Sequence, residues 1–277
     1  MTINCKTPIT YYGGKQNMLN DILPLIPDHK LYCEPFFGGG AVYFAKPPSE
    51  IEVINDKNDF VINFYRVLKT RFDDLKLEVE ASLSSRSIHR KAGYIFKNPG
   101  LYDEVKLAWA CWYLCNCSFI SKLTGGWKYD STENKDCQVL INRKASFNYD
   151  LVKRLELTQI ECDDAIKVIK SRDKPHSYFQ LDPPYADTDQ GHYKGWTREN
   201  YEELLNTSGN LKGKFMLHGF PSNLLQDYID KFGWIYKEIT KASPARRNYT
   251  DSTLTRGNKI EVLVMNYKLE SKQLTAF

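Results

Sequence analysis

Seven short runs rich in β-branched and aromatic residues, set between helical patterns, constrain this chain more than any other feature. They are KLYCEPFF (30–37), IEVINDK (51–57), TQIECDD (158–164), SYFQLDPPY (177–185), KFMLHGF (214–220), WIYKEIT (234–240) and IEVLVMNYK (260–268). Helical periodicity fills many of the gaps, at 16–26, 60–83, 165–171, 197–206 and 222–232. Strands that alternate with helices bury both faces of one sheet, so the pattern predicts an α/β fold with a doubly wound seven-stranded mixed sheet. The last two runs have a long loop and no clear helix between them, and are expected to close the sheet as an antiparallel hairpin.

The rhythm breaks between about Arg66 and Asn148, which is helical and then turn-rich, with the bulky run SFISKLTGGWKYD and no long strand. This predicts a mainly helical subdomain, 66–148, inserted into a body made of 1–65 and 149–277. A length of 277 residues suits one α/β domain with such an insertion. No apolar stretch approaches the roughly 18 residues of a membrane span. The first residues, MTINCKTPITYYGGK, have no apolar signal core, so the expected location is cytoplasmic. Seven cysteines without paired CxxC spacing favour neither a disulfide framework nor a zinc site, and no metal is expected. Those at 111, 115 and 117 lie in the apolar run AWACWYLCNCSF and read as buried thiols. The net charge of +4 permits nucleic acid without demanding it. Its distribution is more telling. Between Ser82 and Tyr102 lie Arg86, Arg90, Lys91 and Lys97 with no acid, and between Lys241 and Lys259 lie Arg246, Arg247 and Arg256 against Asp251 alone. One such run is usually a solvated face; two favour a phosphate-binding surface.

Candidate chemistry gathers at the ends of the strand runs. Two consecutive prolines in LDPPY cannot continue a strand, so Asp182 and Tyr185 flank a rigid strand exit, either a bare turn or a pocket for a flat substrate. After the first run, EPFFGGG carries three successive glycines, which let backbone approach a ligand and take positive φ. It is neither a GxGxxG nor a Walker loop, and is equally compatible with a structural turn. Asp56 lies eighteen positions after Gly38, where doubly wound folds place an acid that accepts ribose hydroxyls. Asp163 and Asp164 end the third run, suited to an adenine amino group or to capping the next helix. Open α/β sheets bind ligands outside the carboxyl ends of their strands, so four such ends carrying ligand-type residues are hard to dismiss jointly.

TYYGGKQ (10–16), the EPFFGGG loop and LDPPY, in that order and with the insertion between the last two, resemble the Dam-like N6-adenine DNA methyltransferases of the D12 class, α arrangement. NDKNDFVINFY (55–65), NCSFISKLTGGWKYD (116–130) and EVLVMNY (261–267) extend the resemblance over nearly the whole chain. It implies a class I S-adenosylmethionine-dependent methyltransferase fold, S-adenosylmethionine as methyl donor, and an adenine flipped out of double-stranded DNA. Adenine N6 is a poor nucleophile because its lone pair is delocalised into the ring. Asp182 and the carbonyl of Pro183 would bind the N6 hydrogens, and Tyr185 would stack on the extruded base. Phe36, Phe37 or Tyr185 could face the sulfonium cation, with Gly38, Gly39, Asp56, Asp163 and Asp182 around the donor.

By the same resemblance Tyr11 lines the donor pocket and Lys15 lies near donor and base, whereas taken alone Lys15 is a surface lysine at a helix start. The loop 186–196 reads as one that closes over the flipped base, with His192 as a loop or phosphate contact. Target recognition falls to the insertion, including Arg86, Arg90, Lys91, Lys122, Trp127 and Lys128, and to the basic loop with Arg246, Arg247 and Arg256. One departure from the family pattern is His218-Gly219-Phe220, where many relatives have Ser or Asn near the strand end. A monomer suffices for this chemistry, and a cognate restriction endonuclease acting on the same site is an admissible partner. Three rivals stand beside this reading: a cytosine-N4 methyltransferase, a protein-glutamine methyltransferase, and a DNA-binding relative without catalysis. Asp182 argues against the first two, which usually show SPPY and NPPY. The intact DPPY, glycine loop and Asp56 argue against the third.

Overall fold

The computed structural model describes residues 5–184, 196–242, 246–247, 254–255 and 258–269. All seven runs become strands of one sheet. These are β1 (Leu31–Glu34), β2 (Ile51–Asn55), β3 (Thr158–Glu161), β4 (Ser177–Leu181), β5 (Lys214–Gly219), β6 (Ile235–Ala242) and β9 (Asn258–Met265). Two short strands, β7 (Arg246–Arg247) and β8 (Leu254–Thr255), pair with each other inside the basic loop. The sheet order is β3-β2-β1-β4-β5-β9-β6. Pairing is parallel for β2 with β3, β1 with β4 and β4 with β5, while β9 runs antiparallel to both β5 and β6. The expected hairpin is present, with Ile235 opposite Met265 and Ala242 opposite Asn258. Every residue of β1 and β4 is buried, as parallel strands covered on both faces must be.

The chain divides into two compact units, 1–24 with 36–165 and 25–35 with 166–277. In the first, the helix Glu104–Cys117 is buried almost all round, and the helices Asp59–Thr70, Phe72–Glu80 and Arg86–Lys97 pack against it. The periodicity over 60–83 suggested one helix, but the chain breaks at Arg71 (φ −137°). The break turns Phe72 onto Phe147 (ring centroids 5.4 Å apart) and Tyr149 (4.5 Å), a gain that continued helix would forfeit. Cys111, Cys115 and Cys117 are buried free thiols, as expected.

In the second unit, aromatic residues fill the space around β1 and β4. Tyr32 and Tyr178 lie side by side at 5.9 Å with His29 against both, and the Tyr267 hydroxyl donates to Leu25 O at 2.9 Å. The helix Arg198–Gly209 starts with a capping box between Thr197 and Asn200, and the helix Asn223–Phe232 ends on Gly233 at φ 64°. Among the described residues no helix is long and apolar enough to cross a membrane.

Candidate active site and nucleic-acid face

In the first unit the glycine loop is built against the N-terminal segment. Gly14 N–H donates to Tyr11 O at 3.0 Å with Gly13 at φ 78°, a turn whose third position requires glycine. The turn lays the Tyr11 ring over the glycines. A Cβ on Gly38 would sit 2.8 Å from Tyr11 Cδ1, and one on Gly39 would sit 3.0 Å from Tyr11 Cβ. Gly38 and Gly40 also take left-handed backbone, at φ 48° and 63°. At Gly40 a Cβ would meet the Phe37 ring, 2.8 Å from Cε2 and 3.0 Å from Cε1. Gly40→Ala is therefore expected to lower the unfolding free energy by about 2–4 kcal/mol, combining left-handed strain with overpacking. A urea midpoint unchanged from wild type would contradict this account of the loop.

The loop is clasped from β2. Asp56 accepts from Gly38 N–H (2.9 Å) through Oδ2 and from Asn58 N–H (2.9 Å) through Oδ1. Burial raises its carboxyl above the ordinary carboxylate range, and the two backbone donors only partly oppose that. Phe37 N–H donates to Asn55 O (2.9 Å), and the Tyr65 hydroxyl donates to Gly38 O (2.9 Å). Asn55, which the sequence did not single out, is fully buried. Its amide exchanges hydrogen bonds with the Asp163 backbone (3.1 and 2.9 Å), tying the exit of β3 to the end of β2. Asp163 itself is exposed and accepts from Asp164 N–H at 2.6 Å.

The two phenylalanines of the loop divide. Phe37 is 2% exposed, edge-on to Tyr65 at 4.7 Å and Tyr43 at 5.4 Å, which makes it the shelf beneath the glycines; Phe36 keeps a half-buried ring. Lys15 is no surface lysine: it is 6% exposed, with its ammonium on Gly13 O at 3.1 Å.

In the second unit Asp182 and Pro183 follow directly on β4, with Asp182 half-buried and Pro183 buried. Tyr185 and the loop through Gly195, with His192, lie outside the described residues. Leu181, the residue before Asp182, pairs with Leu217, the residue before His218. His218 and Gln180 are both buried, and Gln180 Nε2 lies against His218 Nε2. Gln180 Oε1 accepts from the Tyr178 hydroxyl at 2.6 Å. A hydrogen-bonded polar row thus lies on one sheet face behind the strand exit, at the place where the chain departs from the family pattern.

A sequence model of the D12 class N6 adenine-specific DNA methyltransferase family matches residues 11–242. The chain belongs to this family. Among its relatives is the Type II methyltransferase M1.LlaDCHI of Lactococcus lactis subsp. cremoris, 26% identical over 96% of this chain and 96% of that one. The Type II methyltransferase M.MjaIII of Methanocaldococcus jannaschii is 24% identical over 94% and 98% of the two chains. The Type II methyltransferase M.FokI of Planomicrobium okeanokoites is 24% identical over 95% of this chain, which spans 43% of that longer protein. The protein is accordingly a DNA adenine-N6 methyltransferase on the class I methyltransferase fold. It requires a methyl donor and acts on DNA, ahead of the cytosine, protein-glutamine and non-catalytic readings.

In the first unit of this adenine methyltransferase, the helix Arg86–Lys97 exposes Arg86, Arg90 and Lys91 while burying His89 against Ser118 Oγ (2.8 Å). The Arg86 guanidinium stacks on Trp127 (5.0 Å) and Tyr129 (5.2 Å), whose rings stack on each other. Lys122 lies over the Tyr12 ring at 4.5 Å, and Lys128 pairs with Asp136 at 2.6 Å. Between Ser118 and Trp127, which form a β-bridge, the loop tip exposes Phe119 (64%) and Ile120 (47%). Ile120 and Ser121 take positive φ, 50° and 56°. The sequence singled out the basic residues and Trp127 on this surface, but not Phe119 or Ile120, which carry no charge. The backbone of Arg246 and Arg247 forms β7, and Arg256 lies outside the described residues.

Proposed function

We propose that this methyltransferase takes S-adenosylmethionine as its donor at the glycine loop and modifies adenine N6 at the DPPY exit. The observation that supports the donor site most is the clasp of Gly38 by Asp56 beneath the Tyr11 ring. It brings the glycine backbone directly against the Tyr11 ring, beside a carboxylate whose oxygens retain lone pairs for ribose hydroxyls. Phe36 offers a ring to a sulfonium, and Lys15, Gly39 and Asp163 complete the set. S-adenosylmethionine, when bound, supplies the electrophilic methyl group. Asp182 and the Pro183 carbonyl accept the N6 hydrogens, which keeps the nitrogen lone pair out of the ring, and the rigid Pro-Pro segment holds that carbonyl still. Tyr185 stacks on the flipped base and offsets part of the few kcal/mol of unstacking.

Purified protein incubated with duplex DNA of mixed sequence and S-adenosylmethionine, followed by nucleoside mass spectrometry, is expected to yield N6-methyl-2′-deoxyadenosine. N4-methyl-2′-deoxycytidine, or donor binding without any methylated nucleoside, would overturn the assignment.

The segment 66–148 serves as the target-recognition subdomain of the body 1–65 and 149–277. Arg86, Arg90, Lys91, Lys122, Trp127 and Lys128 act there together with Arg246, Arg247 and Arg256, and the exposed Phe119 and Ile120 press on base steps. Arg246→Ala with Arg247→Ala should weaken DNA binding and reduce the slope of log affinity against log salt by about 2. An unchanged slope would remove the loop from the interface. The Type II names of the relatives favour a cognate restriction endonuclease sharing the target site, and the enzyme acts as a cytoplasmic monomer.

A further inference from the structure

The N-terminal strap Thr7–Thr10, which leads into the Tyr11 turn, is tied by Arg143 and Asn116 to helices more than a hundred positions further along the chain. Arg143, on the helix Lys135–Ala145, donates from Nη1 to Thr7 O (2.8 Å) and from Nη2 to Thr10 Oγ1 (2.6 Å). Asn116, buried on the helix Glu104–Cys117, accepts from both Thr10 N–H (3.2 Å) and Thr10 Oγ1 (3.3 Å), and its amide donates to Pro8 O (3.3 Å) and Trp112 O (3.0 Å). Burial lowers the Arg143 guanidinium below its usual pKa, a desolvation cost met only while both acceptors are in place. Immediately beyond the strap, the Tyr11 ring bears on Gly38 and Gly39.

We infer that Arg143 and Asn116 are positioning residues for the donor site: by fixing Thr7 and Thr10 they hold the Tyr11 ring on the glycine loop, and so link the helices of the insertion to donor affinity. This rests on the reading of the glycine loop and Tyr11 as the donor's wall. A guanidinium is suited to the task because its planar fork reaches two acceptors three residues apart, which an ammonium cannot do with fixed geometry. The bonds are invisible to local patterning, since they span 136, 133 and 106 positions.

The test compares Tyr11→Ala, Arg143→Gln, Arg143→Lys and Thr10→Val, with S-adenosylmethionine binding measured by calorimetry in the absence of DNA and methylation measured separately. Arg143→Gln should raise the donor Kd and KM about tenfold, the cost of a charge-assisted hydrogen bond on the ordering of the strap. Its kcat at saturating donor and its KM for DNA should stay within about twofold of wild type. Arg143→Lys should recover part of the loss, and Thr10→Val should add less to Arg143→Gln than it costs alone, because the Arg143–Thr10 bond is already cut and only the hydroxyl's longer bond to Asn116 remains to lose. A folded Arg143→Gln protein with wild-type donor Kd, while Tyr11→Ala binds weakly, would sink the clamp and leave the donor site standing. Wild-type donor Kd in Tyr11→Ala would sink the donor-wall reading and the clamp with it. Should Arg143→Gln fail to fold, Thr10→Val, which deletes one hydroxyl, decides by the same Kd.

Discussion

Asp182→Ala is expected to reduce kcat for DNA methylation by about 10³-fold or more, the scale on which removal of a positioned acid–base group or of a charge-stabilising contact is felt. The loss should appear equally in kcat and kcat/KM, because the work proposed for the carboxylate on N6 would grow as the amine loses its conjugation. Donor affinity should stay within about threefold of wild type, since the glycine loop, Asp56 and Tyr11 are untouched. Asp182→Asn keeps one acceptor oxygen in a side chain of the same shape and should fall between wild type and alanine. Single-turnover methylation of duplex DNA with saturating donor separates these outcomes. If the alanine variant turned over within tenfold of wild type, Asp182 would not be the residue that prepares N6. The surroundings of Asp182 favour a fixed carboxylate: Pro183 is buried beside it, and the Tyr178, Gln180 and His218 row lies on the adjoining sheet face.

Much of the architecture was legible because a strand's side chains report burial locally. Each of the seven apolar runs became a strand, and the antiparallel pairing of β6 with β9 followed from the missing helix between them. Local signals failed where a decision depended on a distant partner. Periodicity ran unbroken through Arg71, yet the helix ends there because Phe72 finds Phe147 and Tyr149, more than seventy residues away. Phe36 and Phe37 look alike in sequence once the strand has ended, and only the Tyr43, Phe44 and Tyr65 cluster selects Phe37 for the core. Lys15 after a Gly-Gly turn has every mark of a surface residue, and its burial comes from packing no spacing rule describes. For Asp56, sequence reasoning found the residue and not the clasp, since a ribose ligand and a hydrogen bond from Gly38 N–H call for the same carboxylate.

The largest stability effect is expected from Glu52→Gln, at about 3–5 kcal/mol, the usual cost of removing one partner from a buried charge network. Glu52, Lys46 and Arg154 are each no more than 4% exposed. Glu52 Oε1 accepts from Lys46 Nζ at 2.5 Å and from Arg154 Nη2 at 3.0 Å, and Oε2 pairs with Arg154 Nη1. Arg154 also donates to Tyr43 O at 2.7 Å and lies 3.6 Å over the Tyr43 ring, which joins the cluster to the segment just after the glycine loop. Burial opposes ionisation of Glu52, but the Arg154 hydrogen bonds and the Lys46 and Arg154 charges outweigh it, and the carboxyl titrates below its usual value near 4.5. A depressed acid contributes stability that is present above 4.5 and lost as pH falls through the folded value, so wild type should lose stability at this site only at acid pH. The glutamine variant leaves two buried cations facing an uncharged amide at every pH. Its stability deficit at pH 7 should therefore narrow on acidification, as wild type loses what the variant never had. Urea unfolding at pH 7 and pH 4 measures both quantities. A deficit below about 1 kcal/mol at pH 7 would mean that the cations are already hydrated or screened, and that the cluster does not hold β2 against the helix Tyr149–Leu155.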